Sequence, residues 1–255
     1  MTASPTPSER MLVADSFRVR VGAHGAEVRG YDRHLARFMR TVREACGSAL
    51  PDTRDFLREA AVRIDEYGEG HPRWELWETE SGGFEHRLSL RPLPALGETI
   101  VLATAGPVSF EHPERKGPNI PLFSALNREH GAEVILTGDD GEVREGTTTA
   151  LIWWVDGTLC TSASTKRVPS VTEQLVREIA GEAGIHHLAA TVTTQALHGR
   201  EVWAVNALHG IRPATLVDGI AAPKPNHPRL ERFAASLDET WARVIEGEAT
   251  RSLLP

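Results

Sequence analysis

The sequence predicts an α/β (α+β) chain organised in two halves. Stretches of two-residue apolar alternation are interspersed with stretches of helical spacing along all 255 residues. Gly106–Pro118 carries three prolines and several charges and reads as a boundary. The halves also differ in pattern, the first placing two helices before its main strands and the second alternating strands with single helices. The expected organisation is a disordered N-terminus at 1–12, a small α/β domain at 13–106, an interdomain connection at 107–118 and a larger domain at 119–255. Such a length suits one large domain or two modest ones.

In chain order, the Ser/Thr/Pro-rich opening is expected to fray. Met11–Val21 reads as a strand, alternating from Phe17 onward. Asp32 is expected to cap a helix with apolar positions Leu35, Phe38, Met39, Val42, Cys46 and Ala49. A second helix spans Asp52–Tyr67, and GEGHP ends it. Arg73–Thr79, His86–Arg91 and Glu98–Ala105 read as strands of the first half. Leu122–His130 is helical in pattern, Glu133–Thr137 a strand, and Thr149–Val155 pairs across Asp156-Gly157 with a strand at Leu159. Helix Thr172–Ala183 stops at Gly184. Strands at Glu201–Val205 and Ile211–Val217 precede a terminal helix with the stripe Leu230, Phe233, Ala234, Leu237, Trp241, Val244 and Ile245.

Composition narrows the function classes. Hydrophobic residues at 40% and charged residues at 25% are ordinary globular values. A formal net charge of −7 argues against a nucleic-acid protein, which needs a basic face. No stretch is long and apolar enough for a membrane helix and no secretory signal is visible, so a cytoplasmic location is expected. Cys46 and Cys160 form no CxxC, and the adjacent His186–His187 has poor geometry for chelation, so no metal site is expected. GxGxxG, P-loop, HExxH and GxSxG motifs are absent. Of 28 basic residues only Lys116, Lys166 and Lys224 are lysines, so amine chemistry has three addresses.

Five segments occur in a fixed order: DRHLARF at Asp32–Phe38, KGPN at Lys116–Asn119, EVREGTTTALIWWVDGTL at Glu142–Leu159, VPSVTEQLV at Val168–Val176 and NALHGIRPA at Asn206–Ala214. Together they resemble the class IV aminotransferases, the fold type IV pyridoxal-phosphate enzymes. That family includes branched-chain and D-amino-acid aminotransferases and 4-amino-4-deoxychorismate lyases. The resemblance runs from roughly Val13 to Val217. It implies a two-domain architecture, a small N-terminal α/β domain and a larger barrel-like C-terminal domain, with pyridoxal 5'-phosphate at their interface.

The resemblance also implies roles. Pyridoxal phosphate needs a primary amine for its internal aldimine, and the family's lysine opens the segment matching KGPN, which selects Lys116. The family's pyridine-nitrogen carboxylate falls at Glu145. Its helix arginine falls at Arg37, although Arg33, Arg40 and Arg43 lie nearby on other faces. Ser170, Val171 and Thr172 open a helix whose N–H groups suit a phosphate, with the Thr172 hydroxyl as cap. Asn206 and Ala207 match a further phosphate segment.

Two departures stand out: the opening strand is shortened, with Ser16–Phe17–Arg18–Val19 in place of the family's pattern, and Ala150 replaces a common Asn. Substrate carboxylates suit arginine forks, for which Arg18, Arg20, Arg87, His112 and Arg115 are candidates, each with a solvent-facing role as the alternative. The expected activity is amino transfer from an amino acid through a Lys116 aldimine and a quinonoid. A 4-amino-4-deoxychorismate lyase, releasing pyruvate and p-aminobenzoate, is favoured by the Asn206–Leu208 run. A non-catalytic binding homologue is the third possibility. The partner expected is a small amino-acid or aminodeoxychorismate-like molecule, with no nucleic acid and no membrane. The family's assembly implies a homodimer. Trp74 and Trp77 fall on opposite faces of one strand, so one of them needs cover from helices or from a second chain.

Overall fold

The computed structural model describes residues 9–47 and 51–245, so the expected positions 1–8 and Ala49 lie outside the described residues. It divides into two compact units, 1–94 with 115–118 and 242–255, and 95–114 with 119–241.

The first unit opens on β1 (Arg10–Ser16), which starts inside the stretch expected to fray and stops before Phe17. The single strand expected to Val21 is two: after Phe17–Val19, β2 (Arg20–Gly22) turns at Gly22 onto β3 (Gly25–Arg29). Gly30, with φ 59°, then caps α1 (Tyr31–Cys46), accepting from the Arg33 and His34 amides. Asp32 therefore lies inside the first turn, where a carboxylate favours the helix dipole, and is not the cap. α2 (Thr53–Tyr67) starts at Asp52, whose side chain accepts from the Asp55 amide. β4 (Arg73–Glu78) pairs antiparallel with β1 and with β5 (Phe84–Ser89), setting Asp15 opposite Trp74 and Ser16 opposite Arg73.

The core of this unit is aromatic. Trp74 is fully buried against Phe17 (4.7 Å between centroids), Phe38 (5.6 Å) and Tyr31 (5.7 Å). Cover for Trp74 thus comes from within the subunit. Trp77, on the opposite face, lies half-buried beneath the Arg87 guanidinium.

The second unit is built on a nine-stranded sheet. β6 (Ile100–Thr104) pairs in parallel with β13 (Gly210–Val217) and with β7 (Glu133–Thr137). Read from the sequence as part of the first half, β6 belongs to this sheet, because parallel pairing comes through crossovers that local pattern does not show. β8 (Val143–Gly146) closes one edge, and β9 (Ala150–Val155), β10 (Thr158–Ser162), β11 (His187–Ala190) and β12 (Val202–Asn206) complete the main order, β11-β10-β9-β12-β13-β6-β7-β8. β14 (Ile220–Ala221) adds to β13.

The sheet curls until its edges meet: the Val143 amide donates to Val192 (2.8 Å), and Glu142 bridges Thr193. Asp156 (φ 47°) and Gly157 (φ 80°) form the β9–β10 turn, both left-handed as a type I′ hairpin demands. α3 (Ile120–His130) connects β6 to β7, and α4 (Val171–Glu182) connects β10 to β11. Trp154, Trp203 and Phe233 pack α5 (His227–Asp238) against the strands.

The terminal helix is shorter than its stripe. α5 ends at Asp238, the Thr240 amide bonds Leu237, and Trp241–Arg243 form β15 beside β3. Trp241, Val244 and Ile245 keep helical spacing, yet the exposed edge of β3 takes the backbone, the Val244 amide donating to Ala26 (2.9 Å). Tertiary pairing overrides the local period. No helix among the described residues is long and apolar enough to cross a membrane.

Candidate active site

In the first unit the end of β1 organises a charged cluster. Asp15 is buried and accepts from Arg37 Nε (2.8 Å), Arg37 Nη2 (2.7 Å) and His34 Nδ1 (2.8 Å). The arginine and histidine hold its carboxyl well below the usual range in spite of burial. His34, one helical turn from Arg37, is held down by desolvation against the pull of Asp15. Arg37 thus reaches the buried Asp15, whereas Arg40 pairs with Glu44 (3.1 Å) in an exposed i,i+4 contact.

Lys116 sits in the same cluster. Its carbonyl accepts from the Ala14 amide (2.7 Å), and its Nζ donates to Ser16 Oγ (3.0 Å) and to the Ser16 carbonyl (3.4 Å). Desolvation pulls the amine down to about 8, with Arg37, Arg91 and Arg73 acting in the same direction and Asp15 against it. At neutral pH a measurable fraction is free amine, the nucleophilic form. Lys166 and Lys224 are exposed. Gly117 follows with φ +134°, and a Cβ there would lie 2.6 Å from the Ala14 nitrogen, so the close approach of this loop to β1 requires glycine.

In the second unit Glu145 lies in β8 beside Leu136 of β7, buried, with Oε1 accepting from the Val168 amide (3.1 Å). Burial raises its carboxyl to about 8; the Val168 amide and Arg167 oppose, while Glu173 and Glu133 add to the rise. Glu145 therefore holds or shares a proton near neutral pH. Arg167 is clamped by Glu173 (2.5 and 2.8 Å) and by the Ser162 and Ser164 carbonyls (both 3.2 Å). That clamp shapes the turn carrying Val168.

The same turn leads into α4. Ser170, not Thr172, caps the helix, its Oγ accepting from the Glu173 amide (3.2 Å). Ser170 is extended (φ −72°, ψ 124°), the backbone an N-cap needs, whereas Thr172 is already helical and buried. The Val171 and Thr172 amides open the helix, where donors lack intrahelical partners and the dipole favours an anion. Asn206 ends β12, its Oδ1 accepting from the Leu208 (3.2 Å) and His209 (2.8 Å) amides and its Nδ2 donating to the Thr148 carbonyl (3.3 Å). Ala207 lies in that turn with only backbone to offer.

Among the expected substrate residues, Arg20 and Arg87 are paired with carboxylates of their own unit. Arg18 lies beyond the end of β1, half-buried, and Arg20 pairs with Glu27 (2.7 Å). Arg87 is held by Glu9 (2.7 Å) and Glu85 (2.8 Å) beside Trp77. His112 is exposed, in a left-handed conformation (φ 51°), 3.7 Å from Glu114, and Arg115 is half-buried.

Several residues of these clusters escaped the sequence reading. Asp15 and Ser16 precede the alternation from Phe17 that marks the strand, and Arg167 falls just outside the quoted motif segments. Glu133 is another. It is buried at the start of β7 and accepts from the Thr148 amide (2.6 Å), the Thr149 hydroxyl (3.0 Å) and Asn127 (3.1 Å), tying down the turn between Glu145 and β9. Glu133 lies well ahead of the Thr147–Thr149 run in sequence, so only the fold brings them together.

The family model for amino-transferase class IV matches residues 12–217, which include Lys116, Glu145 and the start of α4. The chain belongs to the class IV aminotransferase family. Solved structures of the same fold include a branched-chain amino acid aminotransferase from T.th. with pyridoxamine 5'-phosphate (TM-score 0.79, 19% identity, 93% of this chain and 90% of that one). An Escherichia coli branched-chain amino acid aminotransferase gives 0.76 at 17% identity, over 94% and 87%. A candidate 4-amino-4-deoxychorismate lyase from Legionella pneumophila gives 0.74 at 15%, over 89% and 90%. No curated protein matches. This class IV aminotransferase family member is thus an enzyme of fold type IV, and identities at this level carry the fold and not the substrate.

Proposed function

We propose that the protein is a pyridoxal-phosphate enzyme acting on the amino group of an amino acid, with Lys116 as the covalent anchor. The observation that carries this is the amine itself. Of three lysines, only Lys116 is drawn out of water into a charged cluster, hydrogen-bonded through Nζ and depressed to about 8. The other groups fit the remaining parts of the cofactor: a helix start capped by Ser170 suits a phosphate, and a buried carboxyl at Glu145 suits a pyridine nitrogen.

Bound there, pyridoxal phosphate supplies an electron sink for the substrate Cα carbanion. The protein's residues do the rest. Lys116 holds the cofactor, and its freed amine moves a proton to or from the substrate carbon. Glu145 keeps a proton at the ring nitrogen. Ser170, Val171, Thr172, Asn206 and Ala207 bind phosphate oxygens through hydroxyl, amide and backbone N–H, with Arg37 as the cation. Arg18, Arg20, Arg87, His112 and Arg115 remain proposed substrate contacts. The two compact units are proposed to act as the small and large domains of the family.

Amino transfer is the first reading. Elimination of pyruvate from aminodeoxychorismate is the second, favoured by the Asn206–Leu208 turn. We also propose a homodimer in the cytoplasm. The residue-level support is α3, none of whose residues, Leu122 and Phe123 included, is fully buried.

Borohydride reduction of the cofactor-loaded protein followed by peptide mapping tests the anchor: label on Lys116 is expected, and label on Lys166 or Lys224 refutes it. A panel of L- and D-amino acids, with aminodeoxychorismate beside it, separates transfer from elimination by product. Sedimentation at nanomolar concentration tests the dimer, which a fully active monomer overturns.

A further inference from the structure

We infer that Ser16 is a further catalytic residue: its hydroxyl holds the Lys116 amine and shares its protons whenever that amine is not carrying cofactor. The inference rests on Lys116 being the anchor. It is not part of the motif resemblance, since Ser16 stands where the opening strand departs from the family's pattern.

Three consecutive residues of β1 serve this corner. The Ala14 amide fixes the Lys116 carbonyl at 2.7 Å, the Asp15 carboxylate takes Arg37 and His34, and Ser16 Oγ receives Nζ at 3.0 Å. The lysine backbone and amine are therefore gripped by the same strand end. Gly117, pressed against Ala14 and Val13, removes the freedom of the loop to drift away. A four-carbon side chain with a free amine has many rotamers, and a hydroxyl acceptor at its tip selects one of them.

The charges facing Nζ come from every neighbouring element: Asp15 on β1, His34 and Arg37 on α1, Arg73 on β4, and Arg91 after β5. Burial, helped by the three guanidiniums, favours the neutral amine against the pull of Asp15. Ser16 is the uncharged group in direct contact. As an acceptor it stabilises the ammonium; beside a neutral amine the same hydroxyl turns round and donates. A residue that works with either protonation state suits an amine that must both take and return a proton.

Competitive labelling of the cofactor-free full chain with acetic anhydride across pH reads this directly, with exposed Lys166 and Lys224 as internal standards. Removing the hydroxyl by Ser16→Ala or Ser16→Gly is expected to lower the labelling midpoint of Lys116 by about one pH unit, the size of one modest charge-assisted hydrogen bond. Ser16→Thr, which keeps the hydroxyl, is expected to stay at the wild-type midpoint. With cofactor loaded, Ser16→Ala is expected to lower kcat about tenfold or more with little change in KM. A midpoint unmoved in both deletion variants, or moved equally in Ser16→Thr, overturns the role of Ser16. Borohydride label on another lysine overturns the anchor instead, so the two failures are told apart.

Discussion

Replacing Gly117 by alanine tests whether the loop carrying Lys116 depends on its contact with β1. At φ +134° an L-residue is strained by about 1–3 kcal/mol. The new Cβ would also sit 2.6 Å from the Ala14 nitrogen and 2.7 Å from the Val13 carbonyl carbon. These are strand backbone atoms, so relief means moving the loop and losing the Ala14–Lys116 hydrogen bond, about 1 kcal/mol. Alanine recovers about 0.4–1 kcal/mol by restricting the unfolded chain. The net expectation is a loss of about 3 kcal/mol, read as a fall of roughly 1 M in urea midpoint. Cofactor attachment at Lys116 should fall with it. Gly82→Ala is the control: its φ is +78° with nothing within 4 Å of the added carbon, so it carries backbone strain without the collision and should cost about 1 kcal/mol. If Gly117→Ala were no worse than Gly82→Ala and still loaded cofactor on Lys116, the close approach would not be what positions the amine.

Three further outcomes are expected. Glu145→Gln keeps the shape and the acceptor for the Val168 amide but removes the titrating carboxyl; cofactor should bind while turnover falls by about two orders of magnitude or more, and unchanged turnover would place another group at the ring nitrogen. His86, stacked on Phe56 and held at about 4 by desolvation, is neutral in the folded protein, so the unfolded chain takes up its proton first as pH falls through 6.5. Its contribution is complete above 6.5 and lost by pH 4, a ceiling of about 3 kcal/mol that solvent access reduces to about 1–2; urea melts of wild type and His86→Phe at pH 7.5 and 4.5 should show the variant losing less by that amount. Glu133→Ala leaves the Thr148 amide and Asn127 without their acceptor and should cost about 2–4 kcal/mol by thermal melting, whereas a loss under 0.5 would mean that the turn holds itself.

Much of the local structure was legible without coordinates because it is decided by neighbours in sequence. Asp52 marks the start of α2 by capping the Asp55 amide, β7 occupies Glu133–Thr137 as its pattern predicts, and Asp156-Gly157 adopts the two left-handed conformations its hairpin needs. The scarcity of lysine made Lys116 conspicuous, and the ordered motifs brought Arg37, Glu145 and the α4 start with it. What the sequence by itself determined is therefore most of the inventory of helices and hairpins and the family, with the functional positions entering as proposals. Tertiary structure decided the rest: that β6 joins the second unit's sheet, that Trp241–Arg243 leave the helical stripe to cover the edge of β3, and that Asp15 and Ser16 meet Arg37 and Lys116. The physical reason is common to all three. A period or a cap is set within a few residues, whereas an unpaired strand edge, a parallel crossover or a buried charge is satisfied by whichever distant group folding brings to it.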